Sequence, residues 1–504
     1  MPARRSPPSS TKTTRTSNGS RLSYRLTRLC FKRALGFIYF IAFFSTARQF
    51  KALIGEHGLL PLRLFLERTE FWNSPSIFWL NSSDLFVGTV VWAGVALSVL
   101  VMSGFSERLG LFFSTAVWTL LWVFYLSVVN VGQTFYSFGW ETMTLETGFL
   151  AIFLGCDRTQ APAIVIWFLR WELFRLMFGA GLIKIRGDEC WRDLTCMAYH
   201  YETQPIPNPL SWFFHHLPQG FLKFQTLYTH FVELIVPWLY FIPGPAGWTA
   251  GILTIVFQGC LILSGNLSWL NYLTITIALS CLDDRFFGKF MRASLPAPRP
   301  PGRARRIILT AFVGLVLFLS VKPAVNLFSP SQMMNTSFEP FHLINAYGAF
   351  GSVTKVRTEV ILEGTDEEVV TKATLWKEYE FKAKPGDVHR RPPLVAPYHL
   401  RLDWLMWFAA MSDWRYYPWI LNLSYKLLQN DPVILSQIEK NPFKDRPPRH
   451  VRGILYRYRF TTAEEKKKTG DWWVREPLRV YLPAVSLDNE SFRQVLRQMK
   501  WEAS

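Results

Sequence analysis

The chain has 504 residues, 50% of them hydrophobic and 16% aromatic, and a formal net charge of +18. Its apolar residues fall in runs that approach the ~20 residues a helix needs to cross a bilayer, which excludes a freely soluble globular protein. The basic excess does not mark a nucleic-acid binder. Much of it lies in the acid-free first 33 residues and in 283–306, both beside apolar runs, where the positive-inside rule puts cytosolic Lys and Arg.

Residues 1–32 read as a basic, disordered cytosolic tail, although an Arg- and Ser-rich start without acids also has the composition of a transit peptide. Helices are expected near 33–50, 85–102, 110–130, 145–156, 162–184, 221–242, 247–265, 267–282 and 306–322, so that 33–322 form a polytopic transmembrane domain of eight or nine helices. The fourth, "LETGFLAIFLGC", is short enough to be re-entrant. With eight crossings before it, the 283–306 loop returns to the cytosol. The 185–220 loop and everything after about Val321 then fall on the lumenal side. Asn81, Asn335, Asn422 and Asn489 each head an N-x-S/T tripeptide on that side and are candidate glycosylation sites.

The fifth apolar segment carries Arg170, Glu172, Arg175 and Lys184 at membrane depth, where an unpaired charge is costly. Glu172 and Arg175 are three residues apart on one helical face and suit a structural ion pair, with Lys184 and Arg186 snorkelling at the interface. The alternative is Lys184 as a base in a cavity, because a desolvated lysine loses its proton more readily. The loop that follows, "DECWRDLTC", holds Cys190 and Cys196. An oxidising compartment favours a disulfide between them, and free thiols are the other reading. Their spacing is neither CxxC nor a zinc pattern, and no fingerprint of a cofactor site occurs, so neither metal nor cofactor is expected. Arg186, Asp188, Trp191, Arg192, Asp193, His200, Glu202 and Trp212 are the candidates for a recognition surface, since rigid aromatics and Arg are typical anchors of binding.

Beyond residue 322, apolar and polar residues alternate in "KVRTEVILEG", "TKATLWKEYEFKAK", "GILYRYRF" and "REPLRVYLPAVSL", which predicts strands. Helical spacing returns in 401–411 and 418–441. Residues 323–504 therefore read as a lumenal β-rich mixed α/β domain.

The stretch 174–218, "FRLMFGAGLIKIRGDECWRDLTCMAYHYETQPIPNPLSWFFHHLP", resembles the signature of the lipase maturation factor family. So do 376–411, "NPF" at 441–443, and Trp472 with Trp473. The resemblance implies a non-enzymatic, multi-pass protein of the endoplasmic-reticulum membrane, with membrane lipid around it. Its partners would be secreted clients, lipases among them, held by a lumenal loop. A fainter similarity to the vitamin K-dependent carboxylase superfamily rests on "GLIKIRG" and "THFVELIVPW" and would make Lys184 a base with Glu172 or His200 in its cavity. Ile185 stands where that superfamily has a second lysine. A transporter with its charges along a path is the remaining alternative.

Overall fold

The computed structural model describes residues 22–291 and 296–502. Most of the expected tail, residues 1–21, lies outside the described residues, but its last part is not a tail. Helix α1 (Arg25–Leu53) starts eight residues earlier than apolarity alone predicts. Two of its basic residues are buried on acceptors: Arg28 donates to the Thr159 carbonyl at 2.9 Å, and Lys32 reaches the Gly155 carbonyl at 2.6 Å and Glu107 at 3.5 Å.

Among the described residues, four further helices are long and apolar enough to span: α2 (Asp84–Ser103), α3 (Leu111–Val131), α8 (Pro245–Ser264) and α10 (Arg303–Phe328). The ends of α2 follow capping chemistry. The Ser83 hydroxyl accepts from the Phe86 amide with Asp84 in the first turn of α2, and Gly104 in the left-handed region stops it. Between them, α5 (Ala163–Arg186) has the length of a span and carries the charged residues.

Three predicted spans take other forms. The segment 145–156 is helix α4 (Gly139–Ile152), buried almost throughout and, at 14 residues, only about 21 Å long against a ~30 Å bilayer core. The segment 267–282 yields a short helix, α9 (Leu270–Ala278), with one further 3-10 turn. The segment 221–242 breaks into α7 (Gln219–His230), a π turn (Phe231–Ile235) and a 3-10 turn (Val236–Phe241). Pro237 accounts for the break, since it lacks the amide and collides with the carbonyl one turn back. The π turn re-aims Glu233 toward α5.

After α10 the chain forms a two-stranded ladder, β1 (Thr336–Ser337) with β2 (Asn345–Ala346). The main sheet is antiparallel with order β4-β3-β7-β8, made from β3 (Arg357–Thr365), β4 (Lys377–Glu378), β7 (His450–Phe460) and β8 (Trp473–Val485). A small pair, β5 (Glu380–Phe381) with β6 (Ile438–Lys440), lies beside it. The β3–β7 register runs from Arg357 opposite Tyr458 to Thr365 opposite His450. Helix α11 (Arg401–Ala410) packs on the sheet, with the Thr358 and Tyr481 hydroxyls bonded to its last carbonyls at 2.9 Å. The architecture is a mainly helical membrane bundle followed by a β-containing carboxy-terminal region.

Candidate functional site

The last turn of α5 lies between the π turn and a short helix, α6 (Met197–Thr203), of the cysteine loop. Lys184 points inward rather than snorkelling. Its Nζ donates to both Glu233 oxygens at 2.7 Å and sits 5.4 Å from the centre of the Trp191 ring. Both Glu233 oxygens thus occupy the Lys184 ammonium. Both side chains border a cavity of about 480 Å³, lined by α4, α5, α8, α9, the cysteine loop, residues 347–354 and α11 and open toward Met334 and Met411.

His200 borders the same cavity and is buried. Burial, aided by the nearby Lys184 charge, pushes its imidazole down to about 4, so it is neutral at physiological pH. Its ring packs edge-on against Phe350 at 5.0 Å. Across the cavity, Asn271 donates to Gln258 at 2.6 Å, and Trp140, Trp404 and Trp407 supply an aromatic wall.

The structure separates the other predicted residues. Glu172 does not pair with Arg175 and does not reach the cavity. It accepts from the Thr147 hydroxyl at 2.6 Å, while Arg175 turns to Glu146 on α4 and to the Asn345 carbonyl. Helix rotation explains this, since the two side chains meet different neighbours although their spacing allows a local pair. Arg170 satisfies itself on the Ser280 and Tyr240 carbonyls at 2.9 and 3.2 Å. Arg186 donates to the Leu327 carbonyl and to Gln332 at 2.9 and 2.8 Å.

The cysteine loop is built inward. Cys190 and Cys196 are joined by a disulfide, with Cα atoms 4.7 Å apart. Trp191 is buried and donates to the Phe350 carbonyl at 2.8 Å, and the buried Trp212 donates to the Thr461 carbonyl at 2.8 Å. These two tryptophans and His200 are therefore not exposed anchors. Asp188 caps a helical turn by accepting from the Cys190 amide, and Arg192 folds back on the Ile185 and Gly187 carbonyls. Glu202 accepts from the Phe460 amide at 2.7 Å. Burial raises its carboxyl, and that amide and Arg357 pull the other way. Arg357 on β3 clamps the loop's Glu202, Gln204 and Pro205 carbonyls at 2.8, 2.5 and 2.9 Å. Of the predicted surface, Arg186, Arg192 and Asp193 are exposed, and Phe213 beside Trp212 is 48% exposed.

Asn81, Asn335 and Asn489 lie at the surface, but Asn422 does not. Its amide is buried and donates to the Gly58 and Leu59 carbonyls at 3.2 and 2.9 Å, so the folded chain has no room for a glycan there. Glu233, Glu146, Gln258 and Asn271 were not singled out from sequence. Glu233 had a signal, as the lone acid in the apolar stretch 221–242, and an intramembrane acid calls for a named partner.

Several membrane helices, an internal cavity with a buried ion pair, and a β-containing region clamped onto one loop define a multi-pass membrane protein. The description "Lipase maturation factor transmembrane domain" matches residues 26–289, and "Lipase maturation factor C-terminal domain" matches 343–483. The chain belongs to the lipase maturation factor family. It is 44% identical to Lipase maturation factor 1 of Homo sapiens over 525 aligned residues, which cover 95% of this chain and 91% of that protein. The identity to Lipase maturation factor 1 of Mus musculus is 43%, covering 95% and 90%. Lipase maturation factor 2 of Xenopus laevis is 29% identical, covering 94% and 84%. No solved structure matches the chain.

Proposed function

We propose that this chain is a maturation factor of the endoplasmic-reticulum membrane that assists the folding, assembly and export of secreted lipases. The observation that carries the reading is 44% identity to a protein named Lipase maturation factor 1 across 95% of the chain. In this reading the amino terminus is cytosolic, and residues 185–220 and 323–504 are lumenal. Clients meet the exposed rim of the cysteine loop, Arg192, Asp193 and Phe213, rather than the buried Trp191, His200 and Trp212. Neither alternative is favoured: Lys184 is tied to Glu233, and the carboxy-terminal region has no task in a transporter.

The test is rescue. Expressed in cells that lack their own maturation factors, the full chain raises the specific activity of a co-expressed secreted lipase while lipase synthesis stays constant. An unchanged specific activity rejects the reading. Phe213→Ser is expected to weaken rescue severalfold at equal abundance. Orientation is tested separately by glycosidase sensitivity, in which Asn335→Gln and Asn489→Gln remove mobility shifts and Asn422→Gln removes none.

A further inference from the structure

The cavity beside Lys184 carries more hydrogen-bonding capacity than the protein uses, set among mainly apolar walls. Two of the three Nζ protons of Lys184 go to Glu233, which leaves one. His200 is 5% exposed, borders the cavity, and makes no side-chain hydrogen bond to any described residue. Gln258 spends its amide nitrogen on the Met177 sulfur at 3.6 Å, a weak acceptor. Met143, Leu176, Phe257, Leu261, Leu270 and Phe408 make much of the rest of the wall apolar, with Thr203, Gln204, Thr229 and Asn335 among them. An imidazole that borders a cavity with neither ring nitrogen bonded to a described residue is open to a group that completes it.

We propose that this cavity is a binding site for an uncharged, single-chain amphiphile, whose hydroxyl or carbonyl head bonds His200 and Lys184 while its chain lies along the methionine, leucine and aromatic wall. The volume of about 480 Å³ falls within the ~300–1,000 Å³ of small-molecule sites. It accommodates one chain rather than a two-chain phospholipid. Charge selects the head. Lys184 and Glu233 cancel as a pair 2.7 Å apart, so a cationic head would face Lys184 and a carboxylate would face Glu233. A neutral head meets neither penalty, and the neutral His200 ring both donates and accepts. The chemistry is that of a monoacylglycerol or a long-chain alcohol. The site is independent of the client reading and involves no reaction.

The test is photolabelling of the purified full-length protein in detergent with three diazirine-tagged, alkyne-tagged probes: a monoacylglycerol, the fatty acid of the same chain, and a two-chain phosphatidylcholine. The monoacylglycerol is expected to label peptides from the cavity wall around Met143, Met177 and Phe408. Excess untagged monoacylglycerol should suppress that label at least fivefold, and the fatty acid should label several times less. His200→Leu should lower labelling about tenfold and His200→Gln should restore most of it. Ala180→Phe, which fills the cavity without changing its polar groups, should block labelling independently. Variants are compared only where their thermal unfolding matches the parent. Equal labelling by all three probes, labelling confined to the outward-facing Phe224 and Trp238, preference for the fatty acid, no competition, or no labelling in the parent protein would each overturn the proposal.

Discussion

Helix α5 carries two ion pairs nine residues apart, each joining a cation to a glutamate of a neighbouring segment, and they differ in what surrounds them. Arg175 meets Glu146, and that carboxylate also accepts from the Asn345 amide at 2.8 Å and the Tyr347 hydroxyl at 2.8 Å, with both charged side chains at most 1% exposed. Lys184 and Glu233 hold each other but border a cavity, with 5% and 6% of their side chains exposed. The first pair is a fastening. It draws the β2 segment into the bundle and consumes the charges in doing so. The second leaves hydrogen-bonding capacity unspent. Charge at membrane depth therefore does not by itself distinguish architecture from a binding site; the neighbours of the pair do.

The largest expected effect breaks the first pair. Arg175→Met leaves the enclosed Glu146 without its cation, a loss of about 3–5 kcal/mol that should deplete the folded protein. Abundance and protease resistance measure it. Arg175→Met with Glu146→Gln should recover most of the loss, because the uncompensated charge is gone. Lys184→Met should cost less, about 1–3 kcal/mol, since Glu233 borders the cavity rather than being fully enclosed. Thermal unfolding of the two single variants, purified alike, compares them directly. Equal losses would erase the distinction between the pairs.

The sequence reveals the parts of this arrangement that depend on local periodicity. The β3, β7 and β8 strands follow alternation, and the long spans follow apolar length. Helix α4 is harder to read because its polar residues find partners far along the chain. Glu141 meets Arg401, 260 residues away, and Glu146 meets Arg175 and the β2 segment. No spacing rule links such positions. The pairing of Glu172 with Arg175 was inferred from local spacing and failed for the same reason: the nearer partner in space belongs to another helix. The loop's aromatics were legible as important, yet not as buried, since Trp191 and Trp212 find their acceptors on Phe350 and Thr461. Glu233 was within reach of sequence reasoning, because Pro237 four residues later marks a break that turns the acid inward.

The smallest effect concerns His200, the neutral member of the cavity's polar end. Its folded imidazole titrates at about 4 against an ordinary 6.5, through burial first and the Lys184 charge second. The unfolded chain takes up a proton below about pH 6.5 that the folded chain refuses until about pH 4, so this residue's contribution to stability is lost as pH falls through that window and is constant above it. At pH 5.5 the loss is about 1 kcal/mol. His215 is also held near 4 by burial and adds a parallel slope, which makes the difference between parent and His200→Gln the informative quantity. That difference in unfolding temperature should be flat between pH 7 and 8 and should shrink toward pH 5, where the parent loses stability faster than the variant. A constant difference across the range would mean that the folded imidazole takes up its proton as readily as the unfolded one, and burial would then not hold the ring neutral.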